Sequence, residues 1–249
     1  MSKALQLHQE EILANYDRLR RKPLLRRIYA SFYREIAERL AAGDSPTVEI
    51  GSGIGGLKAV VPNCISTDLF PNPGIDCVEN AYALSFADHS IQNIVLFDVF
   101  HHLEFPGTAL TEFQRVLKLG GRVLIFEPYP SLTGLICYGC FHSEPLGLLR
   151  PITWTAPEGW SPSDSSYYAA QGNATRVFRS KIYRERLKGW RITETNVLAS
   201  LSYVASGGFS GPQLYPESFY PVLMRIDRLA GFAPLLFGTR LLVVLERVR

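Results

Sequence analysis

Six residues at positions 51 to 56, Gly51, Ser52, Gly53, Ile54, Gly55 and Gly56, directly follow the apolar run Thr47 to Ile50. Glycines in such a turn let the backbone bend sharply and let a ligand approach the peptide groups closely. The spacing fits the GxGxxG of dinucleotide sites through Gly51, Gly53 and Gly56 as well as a GxGxG loop, and a purely structural turn also fits. Glu49 stands two residues before the first glycine, and Asp68 closes the next apolar run, where an acidic side chain reaches ribose hydroxyls. A strand-end turn residue is the plain alternative for Asp68, since Pro71 and Pro73 follow.

Other residues suited to chemistry fall at later strand ends. Asn80 and Ala81 follow a third apolar run, and Asp98, Val99, Phe100, His101 and His102 follow a fourth. Histidine titrates near neutrality, so His102 is the first candidate for a general base, with His101 and then His142 behind it. A packed or capping pair is the competing reading of His101 and His102. His142 with Glu144 forms a second candidate acid/base pair, against a solvated loop. Asp98, His101 and His102 do not repeat a metal-ligand spacing, and no metal is expected.

The elements that must position these residues are legible from periodicity. From Ala4 to about Leu40 apolar residues recur at spacings of three and four, with Pro23 splitting the stretch into two helices. Short apolar runs then alternate with helical or loop segments, the pattern of a parallel sheet covered on both faces. The expected strands are Thr47 to Ile50, Cys64 to Asp68, Asp76 to Glu79, Ile91 to Phe97, Arg122 to Phe126, Trp190 to Ser200 and Arg240 to Arg247. Helices are expected at Thr108 to Lys118, capped by Gly120 and Gly121, and around Glu217 to Leu229. In open parallel sheets ligands sit beyond the carboxyl ends of the strands, so the candidate residues converge on one crevice.

In order and spacing, VEIGSGIGG, STDLF, ENAYALSFADHS, FDVFHHL and RVLKLGGRVLIFEPY resemble the class I S-adenosylmethionine-dependent methyltransferases of the type 11, UbiE-like group, over residues 47 to 128. The resemblance implies a Rossmann-like α/β fold: a seven-stranded, mostly parallel sheet with helices on both faces, ending in an antiparallel pair. To this the chain adds an N-terminal helical extension (1–43) and, within a methyltransferase domain (44–249), an insertion after the fifth strand (129–175) that reads as a lid. It implies S-adenosylmethionine as cofactor. Glu49, Gly51, Ser52 and Gly53 would lie around its methionine part, Asp68 and Leu69 at the ribose, Asn80 and Ala81 at the adenine, and Asp98 and Val99 beside the sulfonium. The chain departs from the pattern in the Phe-Pro-Asn-Pro-Gly stretch, 70–74, where a helix is usual, and in Asn80, where aspartate is frequent.

Composition narrows the acceptor. The 26 basic and 23 acidic residues leave a formal charge of +3, too slight to imply nucleic acid. FDVFHH also stands where nucleic-acid amino methyltransferases carry an NPPY-type motif. The reading is therefore a small-molecule acceptor, with O-methylation of a sugar or lipid-linked hydroxyl favoured. A nicotinamide-dependent oxidoreductase and a non-catalytic, membrane-associated accessory protein are the rivals. The second is motivated by the basic cluster Arg18, Arg20, Arg21, Lys22, Arg26 and Arg27, for which at most weak contact with an anionic membrane surface is expected. The polar opening MSKALQLHQEE has no apolar leader core, and the chain is read as cytoplasmic. Cys137 and Cys140 form a CxxC read as two reduced thiols.

Overall fold

The computed structural model describes residues 3–53, 55–140, 144–165 and 167–249. It opens with α1 (Lys3–Arg21) and α2 (Pro23–Ala37). The break falls at Lys22 because Pro23 cannot donate the next helical hydrogen bond, yet sits without cost in a first turn. α2 buries the stripe Leu24, Leu25, Ile28, Tyr29, Phe32, Tyr33 and Ile36.

The strands β1 (Thr47–Ile50), β2 (Cys64–Asp68), β3 (Cys77–Val78) and β4 (Ile91–Phe97) come next, then α3 (Pro106–Val116) and β5 (Leu117–Pro128). After β5 run α4 (Leu132–Cys140), α5 (Asn173–Arg179), β6 (Trp190–Ala199), α6 (Leu201–Ala205), α7 (Tyr220–Ala230), α8 (Pro234–Phe237) and β7 (Gly238–Arg247). They build a seven-stranded sheet ordered β3-β2-β1-β4-β5-β7-β6. The first five strands are parallel, and β7 lies antiparallel between β5 and β6.

Both faces of the sheet are buried, which is why its central strands read as unbroken apolar runs. Side-chain alternation still divides the core. Ile94, Leu96, Val123 and Ile125 face α3 and α5 with Phe113, Val177 and Phe178, while Val95, Phe97, Leu124 and Phe126 face Leu25, Ile28 and Phe32 of α2.

Two local expectations are corrected. α3 ends at Val116, and β5 begins at Leu117, five residues before the expected Arg122. Ile91 pairs with Leu117 but Asn93 with Arg122, so the intervening residues bulge. Gly120, at φ +76°, serves that bulge and does not cap the helix. The helix expected at Glu217 begins as a single 3-10 turn, Glu217–Phe219, before α7.

Candidate active site

β1 runs into Gly51 and Gly53, both in the left-handed region at φ +66° and +53°. A Cβ on Gly51 would stand 2.6 Å from Val99 Cγ2, whereas one on Gly53 would meet nothing within 4 Å. Gly53 thus borders open space. Its N–H donates to Asp68 Oδ2 at 3.0 Å, and Phe70 N–H donates to Asp68 Oδ1 at 3.2 Å, so the end of β2 holds the loop. Ser52 is spent on the same link: its N–H donates to Thr67 O, and its Oγ donates to Glu49 O and accepts from Thr67 N–H.

The open space is a cavity of about 500 Å³ at the carboxyl ends of the parallel strands. Of the residues expected from sequence, Gly51, Gly53, Asp68, Leu69, Asn80, Ala81, Asp98, Val99 and His102 line it. Glu49, Ser52 and His101 are buried outside this lining, at 1%, 6% and 2% exposure. His142 lies outside the described residues. Sequence reasoning missed Ile12 of α1 and, in the aromatic wall of Tyr82, Phe105, Trp160 and Tyr168, the first two; Trp160 and Tyr168 belong to the insertion read as a lid. The aromatic richness of the insertion was a usable signal for that wall. Nothing in sequence placed Ile12 there.

Trp160 stands edge-on to Tyr82 and Phe105, both rings 5.1 Å away. Asn80 joins the same assembly. Its Nδ2 donates to Pro162 O at 3.0 Å and its Oδ1 accepts from Tyr82 N–H at 3.0 Å, so the amide clasps the insertion.

Glu49 sits beneath the glycine loop with Oε2 buried and unpartnered among the described residues. Burial pushes its carboxyl up to about 8, against hydrogen bonds from Ser52 and the Leu57 backbone. An orphaned carboxylate oxygen under a glycine loop, open space at Gly53 and an acidic β2 end together fit a nucleoside cofactor with a cationic tail.

The histidine pair takes two different environments on the 3-10 turn Phe100–His102. His101 is walled in: Nδ1 lies 2.6 Å from Glu127 Oε2 and Nε2 3.1 Å from Glu144 Oε2. Burial opposes charge on this ring, but the two carboxylates outweigh it and push its pKa up to about 10. A buried ring with both nitrogens engaged is not placed to take a proton from an acceptor. His102 keeps its place on the wall, with Nδ1 donating to Tyr168 O at 2.7 Å and Nε2 3.3 Å from Glu144 Oε1. Glu144, read from sequence beside His142, has both His101 and His102 among its partners.

Residues 49–125 match the family model described as a methyltransferase domain. Over that stretch the chain carries a methyltransferase domain. No match is found among curated protein sequences. In fold the methyltransferase is similar to a SAM-dependent methyltransferase of Archaeoglobus fulgidus, at 16% identity and TM-score 0.54 over 89% of this chain and 94% of the other. A SAM-dependent methyltransferase of Thermotoga maritima gives 14% and 0.53 over 95% and 99%. The geranyl diphosphate C-methyltransferase of Streptomyces coelicolor A3(2) gives 12% and 0.54 over 89% and 80%. The matched stretch includes the glycine loop, and the oxidoreductase reading is set aside. Among its described residues no helix is long and apolar enough to cross a membrane.

Proposed function

We propose that this methyltransferase O-methylates a hydroxyl of a small, lipid-linked acceptor, a sugar hydroxyl being favoured. The observation that carries the reading is His102, held by the Tyr168 carbonyl and Glu144 on the wall of an aromatic cavity. S-adenosylmethionine supplies a methyl group already activated by a sulfonium, so the protein has to align the acceptor, exclude water and manage one proton. In this reading Gly51 and Gly53 give the methionine part room above Glu49, Asp68 receives the ribose hydroxyls, Asn80 and Ala81 border the adenine, and Asp98 and Val99 form the floor. Tyr82, Phe105, Trp160 and Tyr168 keep water out. The acceptor hydroxyl gives up its proton at the stretch of wall that His102 and Glu144 form.

An apolar surface supports lipid linkage. Val222, Ile226 and Leu229 of α7 are exposed, as are Phe232 and, on α8, Leu235 and Leu236. Arg225 and Arg228 stand beside them. α8 leads into Gly238, which pairs with Ala199, at the carboxyl edge of the sheet that also carries the cavity. An exposed apolar surface with arginines suits an anionic bilayer interface.

The test is transfer of labelled methyl from S-adenosylmethionine into a crude extract, partitioned between organic solvent and water. Label should enter the organic phase as an alkali-stable ether, and fall by about 10² to 10⁴ in rate with His102→Ala. Label confined to protein or nucleic acid would overturn the reading.

A further inference from the structure

We propose that His101, His102 and Glu144 bind one divalent transition-metal ion at the cavity wall. The inference rests on the geometry of the cluster and not on methyl transfer. One ligand atom from each residue lies within 4.8 Å of the others, the span of donors around a single centre with bonds of about 2.0 to 2.2 Å after slight contraction.

The hydrogen bonds behind the rings set their tautomers. His101 presents Nδ1 to Glu127 Oε2 at 2.6 Å, and His102 presents Nδ1 to Tyr168 O at 2.7 Å. Both partners are acceptors, so both Nδ1 atoms carry hydrogen, and Nε2 is the atom each ring turns toward the cluster. The two Nε2 atoms converge on the same carboxylate, at 3.1 Å for His101 and 3.3 Å for His102.

A single dication held between the two Nε2 atoms and Glu144 would be balanced by the Glu144 and Glu127 carboxylates. Nδ1–H bonded to a carboxylate or a backbone carbonyl is also how metal-bound imidazoles are oriented, and here both rings have it. Gln171 Nε2 at 3.0 Å and Tyr167 Oη at 3.2 Å donate to the Glu144 oxygens and fix the third ligand. Two imidazoles and one carboxylate suit zinc, cobalt or iron(II) over magnesium, which favours oxygen donors. Three protein ligands leave a position open, and His102 places it at the cavity, where a bound hydroxyl would be acidified by coordination.

The experiment uses the untagged full chain, stripped with chelator and titrated with Co²⁺, binding being read from the visible d–d spectrum and from metal content after gel filtration. One equivalent should bind. Glu144→Gln and His102→Ala should each weaken binding by more than about tenfold, with circular dichroism and S-adenosylhomocysteine affinity unchanged. Cys137→Ser with Cys140→Ser should bind cobalt as the wild type does. A wild-type protein that takes up no stoichiometric cobalt, binding that survives both cluster variants, or binding lost in the double cysteine variant would each overturn the proposal. Methyl transfer is read separately, so its failure leaves the metal result standing.

Discussion

Arg240 reaches across the sheet to Asp98, Nη1 donating to Oδ1 at 2.5 Å between residues 142 positions apart. Asp98 holds the left-handed conformation at φ +56° at the end of β4, an uncommon state for a residue with a Cβ. Arg240 is 1% exposed, its guanidinium 4.8 Å from the Tyr203 ring centroid and 5.6 to 5.7 Å from those of Phe32, Phe97 and Phe126. Burial works to raise the Asp98 carboxyl, and Arg240 works to keep it ionised.

Arg240 is buried and the Asp98 side chain is 30% exposed, so removing the arginine leaves a half-buried carboxylate uncompensated. Arg240→Met should therefore cost about 1 to 3 kcal/mol in urea unfolding. Asp98→Asn in the same chain should recover part of that loss. A cost below about 1 kcal/mol for the single variant would show that the pair does not hold the floor of the site.

Gly53→Val should abolish binding of S-adenosylhomocysteine in calorimetry, because its side chain would enter the open space and its φ of +53° strains a β-branched residue. Asp68→Ala should weaken the same binding by about 1.5 to 3 kcal/mol, as expected for a lost charged hydrogen bond. Wild-type affinity in both variants would remove the glycine loop and β2 end from the cofactor site.

The pH dependence of Glu49 has a definite sign. Its folded pKa, about 8, lies above the ordinary carboxyl value of 4.5, so the stability it contributes is full below about 4.5 and is lost as pH rises through 8. Glu49→Gln should flatten that slope in thermal melts between pH 5 and 8. A cationic cofactor tail nearby would favour the ionised form, so binding near pH 7 should release a proton, seen as a dependence of calorimetric heat on buffer ionisation enthalpy. Heats independent of buffer would place Glu49 away from the ligand charge.

The apolar surface predicts weak adsorption to membranes. The protein should co-sediment with phosphatidylglycerol vesicles more than with phosphatidylcholine vesicles, and Phe232→Asp with Leu235→Asp should suppress it. Phe232 and Leu235 are 87% and 71% exposed, so these changes leave the core intact. Equal sedimentation of wild type and variant would assign the surface another role.

What the sequence by itself determined was local. The three-and-four stripe of α2, the break at Pro23, the apolar runs of β1, β2 and β4, and the glycine loop between Glu49 and Asp68 each follow from propensities acting over a few residues. They were enough to gather Gly51, Gly53 and Asp68 at one cavity. Local chemistry misled at Gly120, since a left-handed glycine serves a helix cap or a strand bulge equally well, and only the pairing of Ile91 with Leu117 chose the bulge. The rest of the cavity wall was decided by tertiary structure. Insertion of β7 between β5 and β6 carries Arg240 to Asp98, and the segment after α4 brings Glu144 onto His101 and His102, 43 residues from the first of them. A histidine's charge, tautomer and partner depend on what the fold packs against both of its nitrogens, and no spacing along the chain encodes that.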